Sequence, residues 1–264
     1  MRALAVRTAV LAGFALLAAG AVLPARALEL TVLSAGAVEP GMRTALAAFE
    51  RASGHTTRIT FAAAPALRAA VDRPEHEADV IVLPQGALDE LAATGIALGP
   101  RAPIGKVGVG VAVRAGVAAP DIGSAEALKE ALASADSVVF NRASTGLYVE
   151  RMLQQLGIAD AVNAKATREP DGAAVMQRLL AGSAAREFGF GAITEIVLFR
   201  ERGIRLVGPL PAALQHDTAY VAVPWPGAAP ADPARAEAVA ALMRHLQGAE
   251  ARAGFARAGI EPMR

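Results

Sequence analysis

The 264-residue chain contains no cysteine. That absence excludes a disulfide framework, a thiol nucleophile and anchoring through a lipidated cysteine. No run of lysine and arginine interleaved with aromatics occurs, so the electrostatic footprint of a nucleic-acid binder is missing. Beyond the first 27 residues no apolar stretch is long enough to span a bilayer. Several catalytic signatures are absent too: there is no G-x-S-x-G elbow, no Walker loop and no H-E-x-x-H pair. The four histidines, His55, His76, His216 and His245, are scattered, and His76 between Glu75 and Glu77 reads as a charged loop, so no metal site is expected. The glycines of VGVGV alternate within a strand and open no helix, which argues against a dinucleotide site.

What is present begins with MRALAVRTAVLAGFALLAAGAVLPARA. Arg2 and Arg7 flank the start, residues 9–23 are apolar, and Ala25-Arg26-Ala27 fits a small-x-small cleavage site. The pattern predicts a secretory signal peptide over residues 1–27 and a periplasmic mature chain, with an N-terminal membrane anchor as the other reading. The short apolar run favours removal. Three of the 26 basic residues and no acid lie in that segment, leaving 23 against 25, a net charge of about −2.

Strand-like and helix-like stretches then alternate. LELTVLSA, TRITFAA and ADVIVLP read as strands, each followed by a helical pattern, which predicts a parallel α/β lobe. KVGVGVAVRAG, SVVFN, EFGFGA and IRLVGPLP are further strands with helices between them, and Ser124 is placed to cap one of those helices. DTAYVAVPW and one long helix over 234–259 close the chain. The expected fold is two-lobed, each lobe a sheet flanked by helices, with residues 28–104 plus 215–264 forming the first lobe and 105–214 the second. Ligands of open α/β sheets sit beyond the carboxyl ends of the strands, so a small ligand is expected in the cleft between lobes.

Four strand-to-helix junctions are candidates for that site: Ser34 to Ala37, Ala62 to Ala64, Asn141 to Gly146, and Gly189 to Thr194. Each helix start offers unpaired N–H groups and a partial positive charge, worth roughly 0.3–1 kcal/mol toward an anion when exposed. Arg68 and Arg142 add planar donor forks suited to carboxylate or phosphate. Ser144 and Thr145 can touch a ligand or cap their own helix, and Asn141 can shape the turn. The candidate ligand set is therefore Ser34, Gly36, Ala37, Ala64, Arg68, Asn141, Arg142, Ser144, Thr145, Ala192 and Thr194, with Glu39, Glu195 and His216 as possible bases if the chain is an enzyme.

In order, VLSAGAVEPGMRTALAAFERASGH, ADVIVLP, STGLYVERMLQQLGI, GFGAITEI and VGPLP resemble segments of the periplasmic molybdate-binding proteins, across nearly the whole mature chain. The resemblance implies a type II periplasmic binding protein fold, a monomer that hinges, and delivery of a small anion to the permease of an ABC importer. Where that family carries ligand hydroxyls, this chain has Ala37, Ala64 followed by Pro65, and Ala192. Each hydrogen bond lost to a charged group costs about 1.5–3 kcal/mol, so a di- or tricarboxylate is expected in place of molybdate. LSAGAVEPG, NRASTGLY and GFGAITEI are more similar still to the aconitate isomerase branch of this superfamily. Membership there implies a 1,3-proton shift between cis- and trans-aconitate without metal or organic cofactor. Fold analogy favours the receptor, the local matches favour the isomerase, and a sensor subunit is a third reading.

Overall fold

A computed structural model of the chain describes residues 27–71, 78–225 and 232–263. Residues 1–26, over which the sequence predicts a signal peptide, the segment around His76 and most of the Pro/Ala stretch before the last helices lie outside the described residues. The strands are β1 (Glu29–Ala35), β2 (Thr56–Ala62), β3 (Val80–Pro84), β4 (Ala102–Arg114), β5 (Ser137–Asn141), β6 (Ala166–Glu169), β7 (Glu187–Ala192), β8 (Ile204–Pro209) and β9 (Asp217–Pro224). The helices are α1 (Glu39–Ser53), α2 (Ala64–Val71), α3 (Gln85–Ala93), α4 (Ala125–Ser134), α5 (Ser144–Gln155), α6 (Ala159–Asn163), α7 (Gly172–Ala181), α8 (Ile193–Leu198), α9 (Pro233–Leu246) and α10 (Ala249–Arg257).

The strands order as β2-β1-β3-β9-β4-β7-β5-β6, with β8 also paired to β4. Strands β1, β2 and β3 run parallel, as do β5, β6 and β7, so each half carries its helix starts at one end of its sheet. The wholly parallel first lobe expected from the sequence is a mixed sheet, because β9 and β4 enter it antiparallel. β4 belongs to both halves: residues up to Gly108 pair with β9, and those from Val109 onward pair with β7 and β8. The side chain of Gln215 clamps this crossing, accepting from the Val109 N–H at 3.0 Å and donating to its carbonyl at 3.1 Å.

Separate apolar cores sit under each half. Leu30, Val32, Met42, Phe49, Leu242 and Phe255 centre one core of the first half. Val111, Leu132, Phe140, Met152 and Phe190 centre one of the second. Ser124 caps α4 as expected, its Oγ accepting from the Ala127 N–H at 3.0 Å.

The single helix expected over 234–259 is two, α9 and α10, interrupted at Gln247 and Gly248. Gly248 takes an extended conformation with ψ of 161°, which no helix continues through. The helix that follows β7 is short: α8 ends at Leu198, and the chain continues only as a 3-10 turn, Arg200–Arg202. The strand β6 (ATRE) carries no apolar run, since it is the outer strand and only half-buried, and so gave no hydrophobic signal.

Candidate functional site

The helix starts of α2 and α5, together with the 3-10 turn Gly36–Val38 that leads into α1, converge where the two halves meet. Three adjacent cavities that share lining residues lie there. The outermost is a groove of about 610 Å³, lined by Ala64, Arg68, Gln85, Ser144, Leu147, Arg151, His216 and Thr218 among others. Next to it, sharing Ala64, Pro84 and Ser144, is an inner space of about 20 Å³ bordered also by Gly36, Ala37, Asn141, Thr145, Gly172, Glu195 and Tyr220. Beyond Glu195 a side chamber of about 90 Å³ is lined by Glu39, Phe61, Asp171, Ala173, Leu198 and Phe199.

Glu195 forms the wall between the inner space and the chamber. Its carboxylate is squeezed between two glycines from opposite sides. A Cβ added at Gly36 would fall 2.7 Å from Oε1, and one at Gly172 would fall 2.0 Å from Oε2. Only the absence of side chains at both positions leaves room for it. Burial first, then the neighbouring charges of Asp171 and Glu39, raise its ionisation from 4.5 to about 7, against the opposing hydrogen bond from the Ala192 N–H. A carboxyl balanced near neutrality can both take and return a proton.

Tyr220 is the neighbour of Glu195 in the inner space. It is buried at 3 % exposure, and burial followed by the Glu195 charge pushes its hydroxyl well above the ordinary phenol value. It therefore stays a neutral donor, in hydrogen-bonding range of the Ser144 and Thr218 hydroxyls. The N–H groups of Ser144 and Thr145, in the first turn of α5, have no protein partner among the described residues and border the same space. The site thus joins a near-neutral carboxyl to a small set of neutral donors.

The sequence candidates divide clearly. Gly36, Ala37, Ala64, Ser144 and Thr145 line the inner space, and Arg68 lines the outer groove, where it pairs with Glu90 at 3.2 Å. Asn141 borders the inner space, but its side-chain oxygen is committed to the loop, accepting from Ala143 N–H at 3.0 Å and Gly146 N–H at 2.9 Å. Four candidates line none of these three cavities. Ser34 is fully buried within β1, its hydroxyl donating to the Ala35 carbonyl. Arg142 is exposed and outside the lining, because its N–H continues the β5–β6 ladder to the Glu169 carbonyl at 2.9 Å and turns its side chain away from that of Asn141. Ala192 serves through its backbone, which holds Glu195. Thr194 is buried and donates to the Ala37 carbonyl, tying α8 to the turn before α1.

Of the possible bases, Glu39 faces the side chamber with Arg43 at 2.7 Å. His216 lies in the outer groove, stacked on Tyr148 with ring centroids 4.4 Å apart. Burial, then the Arg151 charge, lower its ionisation, so it is neutral at pH 7. At the inner end Ala37 and Ala64 leave no added room, since Tyr220 and Glu195 fill that space; the room lies outward.

Sequence reasoning missed Tyr220, Asp171, Gly172 and Arg151. Tyr220 looked like one more alternating residue of a strand, and only the register of β9 with Pro84 of β3 brings it to the cleft. Asp171 had a local signal, an acid just before a helical pattern, and it does cap α7 by accepting from the Ala174 N–H at 2.8 Å. Among the described residues there is no cluster of acids and histidines able to hold a metal, and no helix long and apolar enough to cross a membrane.

Comparison with known proteins identifies the family and the fold. The family model for bacterial extracellular solute-binding proteins matches residues 30–261. A curated relative, an aconitate isomerase from a Pseudomonas species, is 32 % identical over 248 residues, covering 89 % of this chain and 88 % of the relative. The periplasmic molybdate-binding protein of Azotobacter vinelandii superposes with a TM-score of 0.70 at 19 % identity, over 89 % of this chain and all of that one. A sulfate-binding protein of Mycobacterium tuberculosis H37Rv gives 0.67 at 15 % identity, over 89 % and 87 % of the two chains. These structural neighbours carry the type II periplasmic binding protein fold, and the chain belongs to the bacterial extracellular solute-binding protein family.

Proposed function

We propose that the cleft takes a small organic anion with more than one carboxylate and that Glu195 moves a proton on it, as an isomerase of the aconitate type. The observation that carries this is the Glu195 carboxyl, held between Gly36 and Gly172 with an ionisation near 7 beside an inner space otherwise lined by uncharged groups. A receptor for anions gains nothing from a carboxylate at that spot, whereas a proton-transfer enzyme needs one. The 32 % identity to an aconitate isomerase supports the same reading.

The step balances without a cofactor. Glu195 removes a proton from the methylene carbon next to a carboxylate, and the electron pair joins the conjugated double bond to give a dienolate-like anion. Ser144 N–H, Thr145 N–H and the Tyr220 hydroxyl stabilise the charge that develops on the carboxylate oxygen. The protonated Glu195 then gives the same proton to the carbon two positions along, and the double bond has moved by one place.

Family membership favours a second reading, a periplasmic receptor that closes on the anion and hands it to an ABC importer as a monomer. Incubating the purified protein with trans-aconitate and following the cis isomer by chromatography separates the two. The expected result is conversion, lowered at least 100-fold by Glu195→Gln with binding of the saturated analogue tricarballylate kept within threefold. Saturable binding without conversion would leave the receptor, and no binding would overturn both.

A further inference from the structure

The outer groove carries charges that the proton-transfer chemistry does not use. Its lining includes three carboxylates, and each already has a cation. Asp89 pairs with Arg101 at 2.6 Å, Glu90 with Arg68 at 3.2 Å, and Asp217 with Lys106 at 2.8 Å. Arg151 also lines the groove, and among the described residues no acid pairs with it. Among the described residues Arg151, from the second half of the molecule, is thus the cation lining the groove that no carboxylate engages.

Arg151 stands on the face of α5 that looks into the cleft. Ser144, Leu147 and Arg151 follow at spacings of three and four, so they share one side of the helix, and all three line the groove. Arg151 lies seven positions after Ser144, a rise of about 10 Å, and helical side chains lean back toward the N-terminus. The guanidinium lies 5.8 Å from the Tyr148 ring centre, which itself stacks on His216. This apolar wall holds the guanidinium beside the groove while adding no competing charge, because His216 is neutral there.

We infer that Arg151 is a specificity-determining residue that recognises a third carboxylate, so that the cleft selects tricarboxylates over dicarboxylates. The inference rests on the reading of the cleft as an organic-anion site and names its substrate class. One carboxylate of the ligand meets the α5 start at the inner end, and another, one arm farther out, meets Arg151. A six-carbon tricarboxylate has that second arm; a ligand cut back by one carboxylate leaves Arg151 facing solvent. Arg68, already neutralised by Glu90, offers no equivalent discrimination from the other wall.

The test uses two unreactive ligands in titration calorimetry. Tricarballylate has three carboxylates, and 2-methylsuccinate replaces one arm with a methyl group. The wild-type protein is expected to prefer tricarballylate at least tenfold. Arg151→Gln should abolish the preference by weakening tricarballylate at least tenfold while leaving 2-methylsuccinate within twofold. Arg142→Gln, outside the cleft, should change neither. A preference that survives Arg151→Gln, an equal loss for both ligands, or no preference and no binding in the wild type would overturn the inference. Because neither ligand reacts, a failure of the isomerase proposal, seen as absence of turnover on trans-aconitate, leaves this measurement intact.

Discussion

Glu195 is held near neutral ionisation by burial and by two carboxylates, Asp171 and Glu39, that face it through the side chamber, while Tyr220 faces it as a neutral hydroxyl. Arg43, the cation on that side, is engaged by Glu39. The consequence for stability has a definite sign. An unfolded glutamate ionises at 4.5 and the folded one near 7, so between those values the unfolded chain has lost a proton that the folded chain retains. Stability therefore falls as pH rises through this window, by about 3 kcal/mol once pH exceeds 7. Glu195→Gln should remove the penalty. Its melting temperature should exceed that of the wild type by several degrees at pH 8 and match it at pH 4. Equal differences at both pH values would sink this account. The importance of Glu195 was half-legible in the sequence, as an acid in a first helical turn. Nothing there distinguished it from Glu39, because the distinction depends on Gly36 and Gly172 closing around one carboxylate and on Arg43 neutralising the other.

Helix starts do two different jobs here. That of α5 is built by Asn141, whose oxygen takes two N–H groups, and by Gly146, where a Cβ would fall 1.6 Å from the Asn141 carbonyl oxygen. That of α7 is built by Asp171 and Gly172 and supplies one jaw of the Glu195 clamp. Gly172→Ala should therefore destabilise the fold by about 1–3 kcal/mol through overcrowding. Shortening the partner should relieve it: in the Gly172→Ala/Glu195→Ala double variant the two effects should be non-additive by more than 1 kcal/mol in denaturant melts. Additive losses would show that the glycine matters for another reason. The strand-to-helix steps of the molecule were readable from apolar runs followed by small residues. β6 and the break between α9 and α10 were not, since an outer polar strand and a local glycine turn leave the hydrophobic pattern almost unchanged. The convergence of the junctions followed from the parallel order of strands. The outward turn of Arg142 did not, because it is fixed by the pairing of its N–H with β6, a strand the pattern concealed.

At the scale of the whole molecule, the two halves touch through α8 and the turn before α1, with Thr194 donating to the Ala37 carbonyl across the contact. A ligand that bridges the halves stabilises the assembly in proportion to its saturation, about 2.7 kcal/mol at a hundredfold excess over Kd. A tricarboxylate at that level should raise the melting temperature by several degrees. Molybdate should leave it unchanged, because Ala37 and Ala64 offer it no hydroxyls. A molybdate shift as large as that of the tricarboxylate would return the site to oxyanion binding.

The position of β9 also constrains the order of assembly. This strand seats between β3 and β4, both of which are synthesised far earlier. Until residue 217 and those after it have left the ribosome, the sheet begun by β1, β2 and β3 has a gap at its centre, and Val80–Pro84 exposes an apolar edge. Nascent chains shorter than that lack Tyr220 and the strand that joins β3 to β4, so the pocket is completed only late in synthesis.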